Sequence, residues 1–189
     1  MTPEAYLTGV ADALSGIPRD ALGQVLRRFE EAQDQGRQVF TLGNGGSAMT
    51  ASHIVCDFQK SLCGPDGLGL RAMALTDSLS LITAWANDAD YTQVFARQVK
   101  VLAKPGDLLL AISGSGNSPN VLRAVEQANE MGLVTLGLTG FDGGKLKDLA
   151  QTALVVPSHN MQVVEDAHMV VCHLIFTHLL HRPQAASIG

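Results

Sequence analysis

Two stretches of this chain share one chemical design. Gly43-Asn44-Gly45-Gly46-Ser47 follows the apolar run Val39–Leu42, and Ser113-Gly114-Ser115-Gly116-Asn117-Ser118 follows Leu108–Ile112. Each lies where a buried strand would turn into a helix. Such a loop gathers backbone N–H groups and small hydroxyls at a helix N-terminus, where anions bind. Glycine lets the backbone approach the anion, and serine adds neutral donors without bulk. The chemistry implied is retention of a phosphorylated small molecule. The first loop lacks the spacing of a Walker loop or a dinucleotide fingerprint, and no lysine follows it to serve a triphosphate, which disfavours a nucleotide. The first loop would also serve as a plain strand-to-helix turn. The second has serine at three of six positions, more than a turn needs, and its hydroxyls and amides can hold phosphate with no basic residue.

Ionisable residues cluster in two further places. His53 and Asp57 stand four apart on the helix expected after the first loop, so they share a face. They suit a shared divalent metal or a hydrogen-bonded surface pair. The last helix carries Glu165, Asp166, His168 and His173 among Val163, Val164, Val170, Val171, Leu174 and Ile175. Ionisable groups on so apolar a helix call for partners, a metal, or a solvated or subunit-facing stripe. Spacing leaves the partner of His173 open, since Asp166 is best aligned and Glu165 is rotated by most of a right angle. His178 and His181 fall near the helix end, where solvent or the dipole suits them. Asn87-Asp88 reads as a loop pair, either a turn former or a substrate contact. Gly140-Phe141-Asp142-Gly143-Gly144 closes another strand, and helix entry alone explains it.

Around these residues, short apolar runs alternate with helix-length segments. Strands are expected at Gln38–Leu42, Ala72–Leu75, Leu108–Ser113, Val134–Thr139 and Ala153–Val156, which is the pattern of a parallel sheet covered on both faces. Helices are expected at Pro3–Ser15, Ala21–Gln35 with Asp20 as N-cap, Ser47 to about Ser61, Ser78–Ala86, Tyr91–Ala103, Pro119–Met131, Gly144–Ala150 and Met161–His181. The first two helices (residues 1–36) precede the sheet and serve oligomerisation or cover it. One domain over residues 1–189 is expected, with an exposed loop at Cys63–Gly69 and a frayed end after Arg182. Ligands of such sheets bind beyond the carboxyl ends of the strands, so both loops are positioned to face one crevice.

The 189 residues carry a net charge of −5 and 46% hydrophobic content. No basic cluster points to nucleic acid, no signal peptide is visible, and no apolar run is expected to reach membrane-spanning length. Three scattered cysteines, Cys56, Cys63 and Cys172, point to a reducing, cytoplasmic setting and to packed, inert thiols.

The pieces GNGGS, His53, Asn87-Asp88, SGSGNS, LTGFDGGK at Leu138–Lys145, and Glu165 with His173 together resemble the SIS (sugar isomerase) domain. Within it they resemble the sedoheptulose 7-phosphate (phosphoheptose) isomerases, from about Gln38 to Leu180. The resemblance implies a three-layer αβα sandwich, flavodoxin-like, around a five-stranded parallel sheet, with N-terminal helices added. It implies a homotetramer with active sites where subunits meet. It implies that Ser113, Gly114, Ser115 and Ser118 hold the phosphate, and that Asn44, Gly45, Gly46, Ser47, Asn87, Asp88 and Glu165 contact the sugar. Zinc, one per subunit, would sit on His53, Asp57, Glu165 and His173, with Asp57, Glu165 and His173 as catalytic groups. The chain departs from the family pattern in three places: Asp57 replaces a glutamate, Glu165 replaces a glutamine, and Gly114 stands where threonine is frequent. The family's basic residue beyond the helix carboxylate has only Lys60 near its place.

The activity implied is ketose–aldose isomerisation through an enediol, converting sedoheptulose 7-phosphate to D-glycero-D-manno-heptose 7-phosphate in heptose biosynthesis. Two alternatives remain at this point: an isomerase of another phosphosugar, or a non-catalytic SIS regulator that binds a sugar phosphate or a replication initiator.

Overall fold

A computed structural model describes residues 1–62 and 69–182 of the chain. The loop expected at Cys63–Gly69, with Cys63, and the tail after Arg182 fall largely outside these residues. Five strands, β1 (Val39–Leu42), β2 (Ala72–Ala74), β3 (Leu108–Ile112), β4 (Val134–Thr139) and β5 (Thr152–Val155), form one parallel sheet in the order β2-β1-β3-β4-β5. Each strand is at most a residue or two shifted from the expected range. Side chains alternate between two cores. Val39, Leu108, Leu110, Ile112, Leu136, Leu138 and Leu154 face one side. Phe40, Leu42, Leu109 and Ala111 face the other. A strand covered on both faces has no polar side to show, which is why these runs read as continuously apolar.

Among the described residues, eight α-helices cover the sheet. The first core is closed by α1 (Pro3–Ser15), α2 (Arg19–Asp34), α3 (Gly46–Lys60) and α8 (Met161–His181). The second is closed by α4 (Leu79–Asp88), α5 (Ala96–Leu102), α6 (Pro119–Glu130) and α7 (Gly144–Leu149), with α4 contributing only the partly buried Ile82, Trp85 and Ala86. The three-layer αβα expectation holds.

Three local expectations are corrected. Helix α2 starts at Arg19 with Pro18 at its N-cap and no side-chain cap. Asp20 therefore sits in the first turn, where its charge still favours the dipole. The segment expected as one helix over Tyr91–Ala103 is a 3₁₀ turn at Tyr91–Gln93 followed by α5. The Asp90 carboxylate accepts from the Thr92 N–H at 2.7 Å and tightens that turn. Finally, α8 is long and apolar enough, by length and composition, to cross a membrane. Histidines and two acids interrupt its apolar run, so the sequence does not present it as a span. Here it packs against α1, α2, α3 and β4, capped by the Asn160 side chain, which accepts from the Gln162 and Val163 N–H groups.

Candidate active site

After β1 the chain crosses to β2 on one side, and β3 returns on the other. The carboxyl ends of β1 and β3 thus flank the switch point where open α/β sheets form a crevice. Both Gly/Ser loops leave from these two ends, and the first is hydrogen-bonded to the first turn of α6, the helix that the second opens. Asn44 Nδ2 donates to Asn120 Oδ1 at 2.9 Å, and Asn120 Nδ2 donates back to Asn44 Oδ1 at 2.8 Å. The Tyr91 hydroxyl donates to the same Asn44 oxygen at 3.2 Å.

The second loop opens α6 with Pro119 in the first turn. Its shape is held from three sides. Ser113 Oγ donates to Ser118 Oγ at 3.2 Å, and the Asn117 N–H donates to Ser115 Oγ at 3.2 Å. The Gly140 and Leu146 N–H groups donate to the Gly114 and Gly116 carbonyls. Gly116 has φ +65 and the Gly143 carbonyl pressed against the place of a Cβ, so no side chain fits. The Gly140–Gly144 motif therefore buttresses this loop, a role beyond helix entry.

Helix α8 is the rod that connects the parts. At its start, Met161 lies against Gly114, where a Cβ would meet Sδ at 2.5 Å. The space that a threonine would use there is filled by Met161 and Val164. One turn on, Glu165 lies against Gly46, the first residue of α3, where a Cβ would sit 2.5 Å from Oε2. A glycine at 46 is what lets a carboxylate reach the start of that helix, where the dipole favours it. Two turns later, about 12 Å further along the axis, His173 meets α3.

There, His53 Nε2 and His173 Nε2 are 2.9 Å apart, with rings edge-on at 76°. Asp57 Oδ2 lies 3.5 Å from the first nitrogen and 3.8 Å from the second. The imidazoles are about half exposed, at 46% and 49%, and Asp57 less so at 22%. One donor atom from each of the three lies within 4.8 Å of the others. Two nitrogens and a carboxylate oxygen facing one point form a donor set suited to a zinc-like ion. The set is also self-consistent without one, since the facing imidazoles can share a proton.

The structure brings together three of the four expected ligands. Glu165 does not join them, because the rotation between positions 165 and 173 turns its carboxylate toward Gly46. Asp166, the best-aligned candidate partner for His173, instead accepts from the Tyr6 hydroxyl at 2.6 Å. That bond is the main cause raising the Tyr6 pKa. Asn87 and Asp88 are the last residues of α4 and not a loop, both exposed, with Asn87 Nδ2 donating to Asp88 Oδ1 at 2.7 Å. His178 pairs with Glu30 at 2.7 Å, and His181 bonds the Thr177 carbonyl. Cys172 is fully buried, and burial, with a smaller push from Asp57, raises its thiol to about 12, as packed inertness requires. Cys56 is exposed, contrary to that expectation.

Three residues escape the sequence reading: Asn120, Tyr91 and the buried role of His168. Asn120 and Tyr91 follow motif residues by only two and three positions, so proximity to the motifs was the available signal. His168 is fully enclosed, and among the described residues neither ring nitrogen has a hydrogen-bond partner. Burial lowers its pKa to about 4, offset in part by the Thr139 backbone.

The SIS domain family model matches residues 5–140. The chain is 41% identical to a phosphoheptose isomerase of Helicobacter pylori (strain Shi470) over 174 residues, covering 90% of this chain and 88% of the relative. It is also 41% identical to one of Crocosphaera subtropica over 157 residues, covering 82% and 76%. A solved phosphoheptose isomerase from Francisella tularensis superposes with a TM-score of 0.85 at 30% identity, covering 95% and 94% of the two chains. The chain belongs to the SIS domain family, and its curated relatives are phosphoheptose isomerases.

Proposed function

We propose that this SIS-domain chain is an aldose–ketose isomerase that converts sedoheptulose 7-phosphate to D-glycero-D-manno-heptose 7-phosphate. The observation that carries this is α8, which touches the second loop at Gly114, the first at Gly46 and the His53–Asp57 pair within one helix. One rigid element thereby relates an anion-holding loop to a group of imidazoles and a carboxylate, as a phosphate-anchored proton transfer requires. The relatives' shared name supplies the seven-carbon phosphate.

In this account residues 1–189 act as a single SIS domain. Ser113, Gly114, Ser115 and Ser118 hold the phosphate through hydroxyls and amides at the start of α6. Asn44, Gly45, Gly46 and Ser47 meet the sugar, with Asn87, Asp88 and Glu165 at its edges. Binding energy from the remote phosphate fixes the carbonyl end for reaction. Asp57 removes the proton from C1 of the ketose, leaving an enediolate. A proton moves from O1 to O2 by way of His173 Nε2, and the protonated Asp57, after exchange with solvent, delivers a proton to C2, so the aldehyde forms at C1 with no net gain or loss of hydrogen. Each such proton transfer is worth on the order of a hundredfold to ten-thousandfold in rate. His53, Asp57 and His173 would hold zinc; when bound, the ion would supply Lewis-acid polarisation of the substrate carbonyl in place of the proton carried on His173 Nε2.

An apolar hollow of about 240 Å³ lined by Leu14, Ile17, Leu22, Val170, Val171 and Leu174 lies between α1, α2 and α8, and a neighbouring hollow of about 880 Å³ shares Val170 and Leu174 and reaches His173. They support assembly of several copies, a homotetramer in the family pattern, around this site. A cytoplasmic sugar-phosphate pool is the matching location.

The test is direct. Purified protein is incubated with sedoheptulose 7-phosphate and followed by NMR. An aldose phosphate is expected, and no conversion in folded, zinc-supplied protein overturns the proposal.

A further inference from the structure

Asn120 is 2% exposed, lies in the first turn of α6, and matches no role in the loops themselves. Its hydrogen bonds settle which end of Asn44 is which. The two ends of an amide have the same shape and are told apart by their partners. The Val121 N–H, 3.0 Å from Asn120 Oδ1, can only donate, so that atom is an oxygen. The other end of Asn120 is then Nδ2, and the Asn44 atom 2.8 Å from it must be an oxygen. The reciprocal bond, Asn44 Nδ2 to Asn120 Oδ1 at 2.9 Å, follows. With Tyr91 donating to Asn44 Oδ1 as well, both lone pairs of that oxygen are used. One N–H of Asn44 is the capacity left to the amide.

We propose that Asn120 is a positioning residue that makes Asn44 present an N–H, and not a carbonyl, to an oxygen of the bound sugar. A backbone N–H of α6, the helix at the phosphate loop, thus dictates what the first loop offers to the other end of the ligand. This rests on the sugar-phosphate activity proposed above. It also explains why the first loop shares a bond with α6, 76 residues away: the bond carries orientation from the helix at the phosphate loop to the first loop.

A double-mutant cycle tests it, read by the Kd for sedoheptulose 7-phosphate and by kcat/KM. Asn44→Ala and Asn120→Ala are each expected to weaken both readouts about tenfold, and the double variant to be no weaker than Asn44→Ala alone. The Kd for inorganic phosphate, which reports the second loop by itself, is expected to stay within about twofold of wild type in Asn120→Ala. Multiplying losses, an unchanged Asn120→Ala, or an equal loss of phosphate binding each overturns the positioning role. Should Asn120→Ala not fold, Asn120→Ser, which keeps an acceptor for Val121 but no amide donor for Asn44, is carried through the same cycle. Wild-type protein that binds the sugar phosphate without converting it removes the isomerase activity and leaves the cycle on Kd decisive. Wild-type protein that neither binds nor converts it overturns both.

Discussion

The loop crevice and the His53–Asp57–His173 trio are built by opposite means. In the crevice, shape comes from the backbone: strand ends at a switch point, helix starts, and a mesh of bonds among Asn44, Asn120, Tyr91, Ser113 and Ser118. No cation is part of that mesh. In the trio, the groups come from side chains on two packed helices, stand 120 residues apart in sequence where His53 meets His173, and lie half open to solvent. The crevice is finished before a ligand arrives, whereas the trio holds three donors with few partners but each other. A preformed site spends little on ordering when it binds, and an open cluster of bases is free to move protons. In the proposed function the molecule separates holding from reacting, and α8 fixes the distance between the two regions.

The largest expected effect tests the reacting side. His173→Ala should lower kcat by about a hundredfold to ten-thousandfold while the Kd for the sugar phosphate, measured by calorimetry, barely changes. A parallel loss of affinity would merge the two regions into one. His168, buried in α8 between Glu165 and His173, tests the rod itself. Its folded pKa, near 4, lies below the ordinary 6.5, so the unfolded chain takes up the proton first. Stability owed to the neutral ring is complete above pH 6.5 and is lost as pH falls toward 4, by about 3 kcal/mol. Urea unfolding at several pH values should show that decline, and His168→Gln should flatten it. An unchanged slope in the variant would mean that other groups set the acid limit.

Ser118→Ala tests the holding side. One hydrogen bond to a charged phosphate is worth about 2 kcal/mol, so KM should rise on the order of tenfold or more with kcat nearly kept. A fall in kcat alone would contradict the division of labour. Tyr6→Phe is the mildest case. Removing the bond to Asp166, which is exposed, should leave the urea midpoint nearly unchanged and the kinetics intact.

The crevice was legible because its chemistry lies in contiguous motifs whose place after apolar runs follows from sheet topology. The same periodicity gave the strands almost to the residue. The trio was legible only in part. Helical spacing pairs His53 with Asp57, but a wheel cannot say which side of α8 faces α3. It therefore left Asp166 and Glu165 as rival neighbours of His173, and packing sends one to Tyr6 and the other to Gly46. The resemblance pointed to Glu165 as a ligand, and it was the rotation along α8 that the motif did not contain. Asn120 and Tyr91 lay beside the motifs, but hydrogen-bond partners that join a loop to a helix start and a 3₁₀ turn leave no periodic trace.

The central claim is that phosphate is gripped in one region so that protons move in the other. The measurement is kcat/KM in D2O for sedoheptulose 7-phosphate against unphosphorylated sedoheptulose, with deuterium at C2 of the product read by NMR. The account predicts a deuterated aldose phosphate and a preference of at least about a thousandfold for the phosphorylated sugar. Equal rates for the two sugars, or no carbon-bound deuterium and no aldose from either, would contradict it.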